Sequence, residues 1–196
     1  MKKDHSEIAV IIDRSASMRE MEPQVIKGFN TLLWQQVCAE GTMNMTVVLF
    51  DDKIETLHNS VPGNTVPALT DAVYFVRGGT ALFDAVGRTV SELAARIKGL
   101  PDSEKPEHVV VATTTDGYEN SSVEWTAKML RELLDEKRAE GWEFIYTSCD
   151  EEDWQPEALG FKPKDISYYS KEDEEAGFKS YLDMSTRTIE HRRSKK

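Results

Sequence analysis

Cysteine is scarce in this sequence, and no apolar segment is long. The 196 residues include two cysteines, Cys38 and Cys149, which lie far apart and form no CxxC pattern. This excludes a disulfide framework and predicts two buried, small apolar side chains. The first apolar run ends at Asp13, too early for the core of a signal peptide or for a membrane span. We therefore expect a cytoplasmic protein without a membrane segment.

Basic residues are outnumbered by acidic ones. The chain carries 24 lysines and arginines against 35 aspartates and glutamates, which gives a net charge of −11. A surface of this sign repels the phosphates of nucleic acids and the headgroups of anionic membranes, so neither is expected as a partner. Hydrophobic residues make up 39% of the chain, enough for one core of ordinary size. The composition thus indicates an acidic globular domain.

Short apolar runs alternate with amphipathic helical patterns along most of the chain. Such alternation indicates a parallel sheet with helices on both faces. Strands are predicted at residues 8–12, 45–50, 54–58, 108–112, 142–147 and 166–169, and helices at 23–41, 82–99, 123–139 and 174–191. The tight turn at 51–53 makes the third strand an antiparallel edge strand.

The predicted fold class is therefore α/β, with a doubly wound, mostly parallel six-stranded sheet of the Rossmann-like kind. One antiparallel edge strand completes the sheet, and helices cover both of its faces. We expect one domain over residues 1–191, followed by a basic, disordered tail at residues 192–196.

Three oxygen-rich segments lie where predicted strands or loops lead into helices. They are Asp13-x-Ser15-x-Ser17, Gly78-Gly79-Thr80 and Thr115-Asp116-Gly117. In a doubly wound sheet of order 3-2-1-4-5-6, the strands that end at Asp13 and near Asp116 are neighbours. Their carboxyl ends then flank the crevice in which open α/β sheets bind ligands. We therefore expect two carboxylates and three hydroxyls to converge there.

All of these side chains offer hard oxygen ligands. Hard oxygens suit Mg²⁺, Ca²⁺ or Mn²⁺ better than zinc or copper. With hydroxyls as the direct ligands, few negative charges would touch the metal. The ion would then keep much of its Lewis acidity, and one coordination position could accept a carboxylate from outside.

These segments, in this order on this strand pattern, resemble those of the von Willebrand factor A family and its metal-ion-dependent adhesion site. The matching residues are Asp-x-Ser-x-Ser-Met at 13–18, Gly-Gly-Thr-x-Leu-x-Asp-Ala at 78–85 and Thr-Asp-Gly at 115–117. Ala16 departs from the pattern, because the family often has glycine there. The resemblance covers nearly the whole chain and implies a stand-alone bacterial or phage member with nothing appended.

The resemblance also implies a role for each residue. Ser15 and Ser17 would contact the metal directly, and Thr80 would do so in the ligand-binding state. Asp13 and Asp116 would act directly or through water. The implied function is that of a metal-dependent protein-binding module and not an enzyme. Its cation, Mg²⁺ with Mn²⁺ or Ca²⁺ as alternatives, would grip a Glu or Asp carboxylate of a partner protein, and movement of the last helix would couple to binding.

Two other functions are compatible with the sequence: a Mg²⁺-dependent hydrolase or phosphotransferase, and a scaffold subunit with a structural metal. The first needs a general base or nucleophile beside the metal, and the free candidates are Asp84 and the acidic run at 150–153. For Asp84, a charge in the first turn of a helix is the better interpretation. A purely structural interpretation of the five site residues is that they cap helices.

Further side chains flank the predicted site or fall at apolar positions. The acidic run at 150–153 and Trp154 are interpreted as the solvated start of a helix rather than as a partner anchor. Arg14 and Arg19 either clamp an acidic partner or pair with the acidic surface. Three tryptophans are predicted to lie in the core: Trp34, Trp125 and Trp142.

Overall fold

The computed structural model describes residues 1–116, 118–149, 155–170, 173 and 175–194. The strands are β1 (Lys2–Asp13), β2 (Thr42–Phe50), β3 (Ile54–Pro62), β4 (Pro106–Thr114), β5 (Glu143–Ser148) and β6 (Ile166–Tyr168). The helices are α1 (Glu22–Cys38), α2 (Leu82–Gly99), α3 (Ala127–Ala139), the short α4 (Gln155–Ala158) and α5 (Ala176–Arg193). Across these described ranges, no helix has the length and apolar character that a bilayer span needs.

The six strands form one sheet in the order β3-β2-β1-β4-β5-β6. β1 lies at its centre and runs parallel to both neighbours, with Ile12 opposite Leu49 of β2 and Thr114 of β4. β5 and β6 continue the parallel arrangement, whereas β3 pairs with β2 in the antiparallel direction at one edge. The predicted fold class is therefore confirmed.

The central strand is buried on both faces because its apolar run meets a helical layer on each side. Ile8, Val10 and Ile12 belong to the apolar cluster that includes side chains of α1 and α5. Ala9 and Ile11 point the other way and belong to the cluster that includes side chains of α2 and α3. Alternate side chains of a strand point to opposite faces, so a continuous apolar run supplies both layers of the core.

The third long helix begins at Ala127, four residues later than its apolar pattern predicts. The Asp84 carboxylate accepts hydrogen bonds from the backbone N–H groups of residues 123–125, which holds this segment against the start of α2. Thr126 then caps α3 by accepting a hydrogen bond from the Met129 N–H. Asp84 is 5% exposed, so its role extends beyond that of a surface charge on a helix dipole.

Predictions of burial are wrong for both cysteines and for two of the three tryptophans. Cys38 is exposed and Cys149 is half-buried, although both were expected in the core. Trp34 is 66% exposed, because it lies on the outward face of α1, and Trp125 is half-buried. Trp142 is buried as predicted. An apolar residue on an amphipathic helix can lie outside the face that packs, and the pattern alone did not distinguish these cases.

The last helix continues to Arg193, beyond its predicted end at residue 191. Arg192 is 9% exposed and donates hydrogen bonds to the carbonyl oxygens of Gln36 and Glu40. These bonds tie the last turn of α5 to the end of α1, so the first two residues of the predicted tail are part of the fold. Residues 195–196 of that tail lie outside the described residues.

Candidate metal centre

The two predicted carboxylates lie at the same edge of the sheet. Asp13 is the last residue of β1, and Asp116 follows the neighbouring strand β4 by two residues. Because β1 and β4 are parallel, their carboxyl ends meet at this edge. This is the position at which doubly wound sheets bind ligands.

A chain of hydrogen bonds joins four of the five predicted ligands. Asp13 Oδ1 accepts from the Ser15 N–H at 2.6 Å. The hydroxyls of Ser15 and Ser17 lie 3.0 Å apart, and Ser17 Oγ donates to Asp116 Oδ1 at 2.7 Å. The structure therefore brings Asp13, Ser15, Ser17 and Asp116 into one cluster of oxygen atoms, as predicted.

Asp13 is fully buried, and its hydrogen-bond partners are neutral. Thr115 Oγ1 donates to Asp13 Oδ2 at 2.5 Å, and the Tyr74 hydroxyl donates to the Asp13 carbonyl oxygen at 2.7 Å. Burial raises the pKa of the Asp13 carboxyl to about 7, against the opposing hydrogen bonds from Thr115 and Ser15. No lysine or arginine in the described ranges pairs with this carboxylate. Thr115 belongs to one of the predicted motifs, but its contact with Asp13 was not predicted.

The fifth predicted ligand, Thr80, is attached to the cluster through its loop. The Gly78 carbonyl accepts a hydrogen bond from the Ala16 N–H at 3.2 Å, which places the two loops side by side. Thr80 is 2% exposed, and its backbone is hydrogen-bonded to Asn120 and Ser121. Within the described part of the chain, its side chain makes no hydrogen bond to the other four ligands. Gly117 lies outside the described residues.

A second buried carboxylate, Asp51, lies beside the site and was not singled out by sequence reasoning. Its Oδ2 accepts from Arg14 Nε at 2.8 Å and from Arg77 Nε at 2.7 Å. Its Oδ1 accepts from the Lys53 N–H at 2.8 Å. Burial alone would raise the pKa of the Asp51 carboxyl, but the hydrogen bonds from Arg77, Lys53 and Arg14 outweigh it and leave the pKa below its usual range.

Arg14 is therefore part of the fold rather than a clamp for a partner. Its side chain is 1% exposed and also contacts Glu55 at 2.8 Å. Arg19, the other predicted flanking arginine, is exposed and forms no ion pair with the residues that the structure describes. The acidic run at 150–153 and Trp154 lie outside those residues.

The residues present fit a hard divalent cation. Every predicted ligand is a carboxylate or hydroxyl oxygen. Hydrogen bonds already link four of the five one after another, from Asp13 through Ser15 and Ser17 to Asp116. The described residues contain no group of three His, Cys, Asp or Glu side chains that could hold a metal. A cation here would therefore depend on serine and threonine hydroxyls and on water, which is compatible with the tendency of Mg²⁺ to keep several waters.

No protein-family model and no curated protein matches this sequence. Solved structures do match. The von Willebrand factor type A protein from Catenulispora acidiphila has a TM-score of 0.67 and 15% identity, over 96% of this chain and 43% of that chain. The vWF domain of the type V pilus tip protein Mfa5 from Porphyromonas gingivalis has a TM-score of 0.70 and 8% identity, over 97% of both chains. Manganese-loaded TRAP protein from Plasmodium vivax has a TM-score of 0.63 and 17% identity, over 93% of this chain and 75% of that chain.

These likenesses define the class of fold. The chain has the fold of von Willebrand factor type A domains, as its sequence motifs predicted. It spans less than half of the Catenulispora chain but nearly all of the Mfa5 domain.

Proposed function

We propose that this protein is a protein-binding module that depends on a divalent cation. Asp13, Ser15, Ser17, Thr80 and Asp116 would hold the ion, and the ion would bind a Glu or Asp carboxylate of a partner protein. The observation that carries the proposal is the environment of Asp13. Its carboxylate is fully buried, lacks a cationic partner among the described residues and is joined through Ser15 and Ser17 to Asp116.

A buried carboxylate without a cation is costly, because it has lost its water and gained only neutral hydrogen bonds. A bound divalent ion would supply the missing positive charge. The serine hydroxyls that now hydrogen-bond to each other and to Asp116 would turn their lone pairs to the ion. When bound, the cation supplies a Lewis-acidic position for an oxygen of the partner.

Mg²⁺ is the ion we propose, with Mn²⁺ or Ca²⁺ as substitutes, because the ligands are hard oxygens. The manganese-loaded TRAP structure supports a divalent ion in this fold. The partner would be a protein that offers an exposed acidic residue. We keep the cytoplasm as the predicted location of the module.

The first experiment is calorimetric titration of Mg²⁺ and then Mn²⁺ into metal-stripped protein. We expect binding to one site in the native protein and none in Asp116→Ala or Ser15→Ala. Asp102→Ala is the matched control, because Asp102 is 91% exposed in a turn that precedes β4, at the opposite end of that strand. Binding that survives in Asp116→Ala and Ser15→Ala, or is absent from the native protein, would contradict the proposal.

The carboxylate of the partner requires a second experiment. Acetate, added to the same titrations, is expected to tighten Mn²⁺ binding to the native protein and to produce no binding in Ser15→Ala. A native protein that binds Mn²⁺ with no response to acetate would retain the metal site and lose the proposed mode of partner recognition.

A metal-dependent hydrolase or phosphotransferase is less well supported, because its leading candidate residue is otherwise engaged. The Asp84 carboxylate accepts hydrogen bonds from three backbone N–H groups, and the shortest N–O distance for each group lies between 2.7 and 3.0 Å. Such a carboxylate is poorly placed to act as a base. Turnover of a phosphate ester with Mg²⁺ would overturn this preference, and stable assembly without metal would favour the scaffold alternative.

A further inference from the structure

The loop formed by Gly78, Gly79 and Thr80 is held from two sides by segments distant in sequence. On one side lie the turn after β2 and the loop after β1, and on the other lies the segment that follows Asp116. Since Thr80 is the one predicted ligand that the hydrogen-bonded cluster does not include, these two contacts decide where its hydroxyl lies.

The turn after β2 holds the loop by close backbone approach. Gly78 has a φ of +65°, and a Cβ atom there would collide with the Asp52 carboxylate. The Ala81 N–H donates to the Asp51 carbonyl oxygen of that turn at 2.8 Å. The loop after β1 adds a further contact, because the Arg77 N–H donates to the Arg14 carbonyl oxygen at 2.9 Å. Glycine is required at position 78 because other residues rarely adopt this backbone conformation.

The segment after Asp116 holds Thr80 itself. Asn120 Oδ1 accepts from the Thr80 N–H at 2.9 Å, and the Thr80 carbonyl accepts from the N–H groups of Asn120 and Ser121 at 3.0 and 3.2 Å. A Cβ atom at Gly79 would lie 2.7 Å from Asn120 Oδ1, so the approach depends on the absence of a side chain at that glycine. Thr80 is thereby fastened to the same segment that carries Asp116.

We propose that Asn120 is a positioning residue for the cation site, because its side chain fixes the position of Thr80 relative to Asp116. This inference rests on the proposed function, in which Thr80 is a ligand. The neighbouring side chains bind other backbone groups. Glu119 accepts a hydrogen bond from the Phe83 N–H, and Ser122 Oγ accepts one from the Asp84 N–H. Both of these cap the start of α2 and leave the Thr80 N–H to Asn120.

Three variants separate positioning from stability. Asn120→Ala removes the acceptor, whereas Asn120→Asp keeps a side-chain oxygen that can accept from the Thr80 N–H. Ser122→Ala is the matched control, because it removes two hydrogen bonds of the same loop, from the Asp84 N–H and to the Glu119 carboxylate, without touching Thr80. All three should unfold at nearly the native temperature if the fold is intact.

Amide hydrogen exchange at Thr80, in metal-free protein, tests the contact directly. We expect exchange at Thr80 to be at least about tenfold faster in Asn120→Ala, while Asn120→Asp and Ser122→Ala keep native protection. Unchanged exchange in Asn120→Ala would overturn the assignment of Asn120, whatever the protein binds.

Mn²⁺ titration of the same variants tests the consequence. Outer-shell substitutions typically reduce metal affinity by about 10- to 100-fold, and we expect a loss of this size in Asn120→Ala. Asn120→Asp should bind at least as tightly as the native protein, and Ser122→Ala should bind as the native protein does. Native affinity in Asn120→Ala would overturn the positioning role while leaving the proposed function intact. Absence of Mn²⁺ binding from the native protein would overturn both, and the exchange result would still report whether Asn120 holds Thr80.

Discussion

Asp13 and Asp51 are two buried carboxylates at the ends of neighbouring strands, and their surroundings differ. Asp13 ends β1, Asp51 follows β2, and both side chains are fully buried. Asp51 is neutralised by Arg14 and Arg77, whereas Asp13 is surrounded by hydroxyl and amide donors. The pKa of Asp51 is accordingly lowered, and burial raises that of Asp13 to about 7.

The contrast separates a carboxylate that completes the fold from one that is available for a ligand. The positive charges that neutralise Asp51 belong to the chain itself, on Arg14 and Arg77. The hydrogen bonds of Asp51 connect three loops. Asp13 has hydrogen bonds that orient it but no cation among the described residues. Removing the first should therefore damage the fold, and removing the second should damage binding.

The largest expected effect is the loss of stability in Asp51→Asn. This change removes the buried partner of Arg14 and leaves it only the half-exposed Glu55, and loss of one member of a buried ion pair costs about 3 kcal/mol. Urea unfolding measures the difference, with Asp102→Asn, an exposed ion-pair residue, as the control that should show no measurable change.

The stability difference between the native protein and Asp51→Asn should depend on pH in a defined direction. Because the folded-state pKa of Asp51 is lowered, its contribution is present above the ordinary aspartate value of about 4 and is lost as pH falls through the folded-state pKa. The gap in stability between native protein and Asp51→Asn should therefore narrow in acid. A gap that widens there would contradict the role assigned to Asp51.

The next effect is stabilisation of the native protein by Mn²⁺. A ligand that binds only the folded state adds about 2.7 kcal/mol at a free concentration of about 100 times its Kd. We expect this gain in the native protein and in the control variant Asp102→Ala, and no gain in Asp13→Asn. Thermal unfolding with and without Mn²⁺ measures it, and an equal gain in Asp13→Asn would remove Asp13 from the site.

A smaller effect, of opposite sign to that at Asp51, is expected for Asp13→Asn without metal. The amide removes a buried charge that has no cationic partner among the described residues, so the metal-free protein should gain about 1 kcal/mol. Urea unfolding of metal-stripped protein at neutral pH or above provides the measurement. A loss as large as that of Asp51→Asn would show that the two carboxylates are equivalent parts of the fold.

The smallest effect concerns the two arginines that neutralise Asp51. Arg77 is 43% exposed and Arg14 is 1% exposed, so water can replace the first more readily than the second. Arg77→Gln should therefore destabilise the protein less than Arg14→Gln, as measured by urea unfolding. The reverse order would mean that the loop before Gly78 contributes more to stability than the buried pair does.

The periodicity and spacing of the chain were sufficient for the fold and for most of the candidate site. A continuous apolar run such as residues 8–12 is typical of a strand that is covered on both faces, and the residue that ends such a strand lies at the edge of the sheet. The positions of Asp13, Ser15, Ser17 and Asp116 could therefore be predicted together. Their function as metal ligands stays a prediction.

Local patterns were insufficient wherever the outcome depended on a partner far along the chain. Asp51 was assigned only to a turn, but Arg77 lies 26 residues away and fixes its charge. Asn120 and Thr80 are 40 residues apart. The Asp84 carboxylate binds backbone N–H groups about 40 residues further along the chain, and these hydrogen bonds keep that segment from joining α3. Trp34 shows the same limit for burial, because only the packing of α1 decides which of its faces meets the core.

The positions of strands and helices, and the placement of oxygen ligands at strand ends, thus follow from local sequence, because backbone geometry repeats every two or 3.6 residues. Which buried carboxylate receives an arginine, and which side chain holds Thr80, follow from contacts between loops that the completed sheet brings together. Those contacts exist only after folding, since hydrogen bonds and ion pairs between distant residues need both loops at the same edge of the sheet.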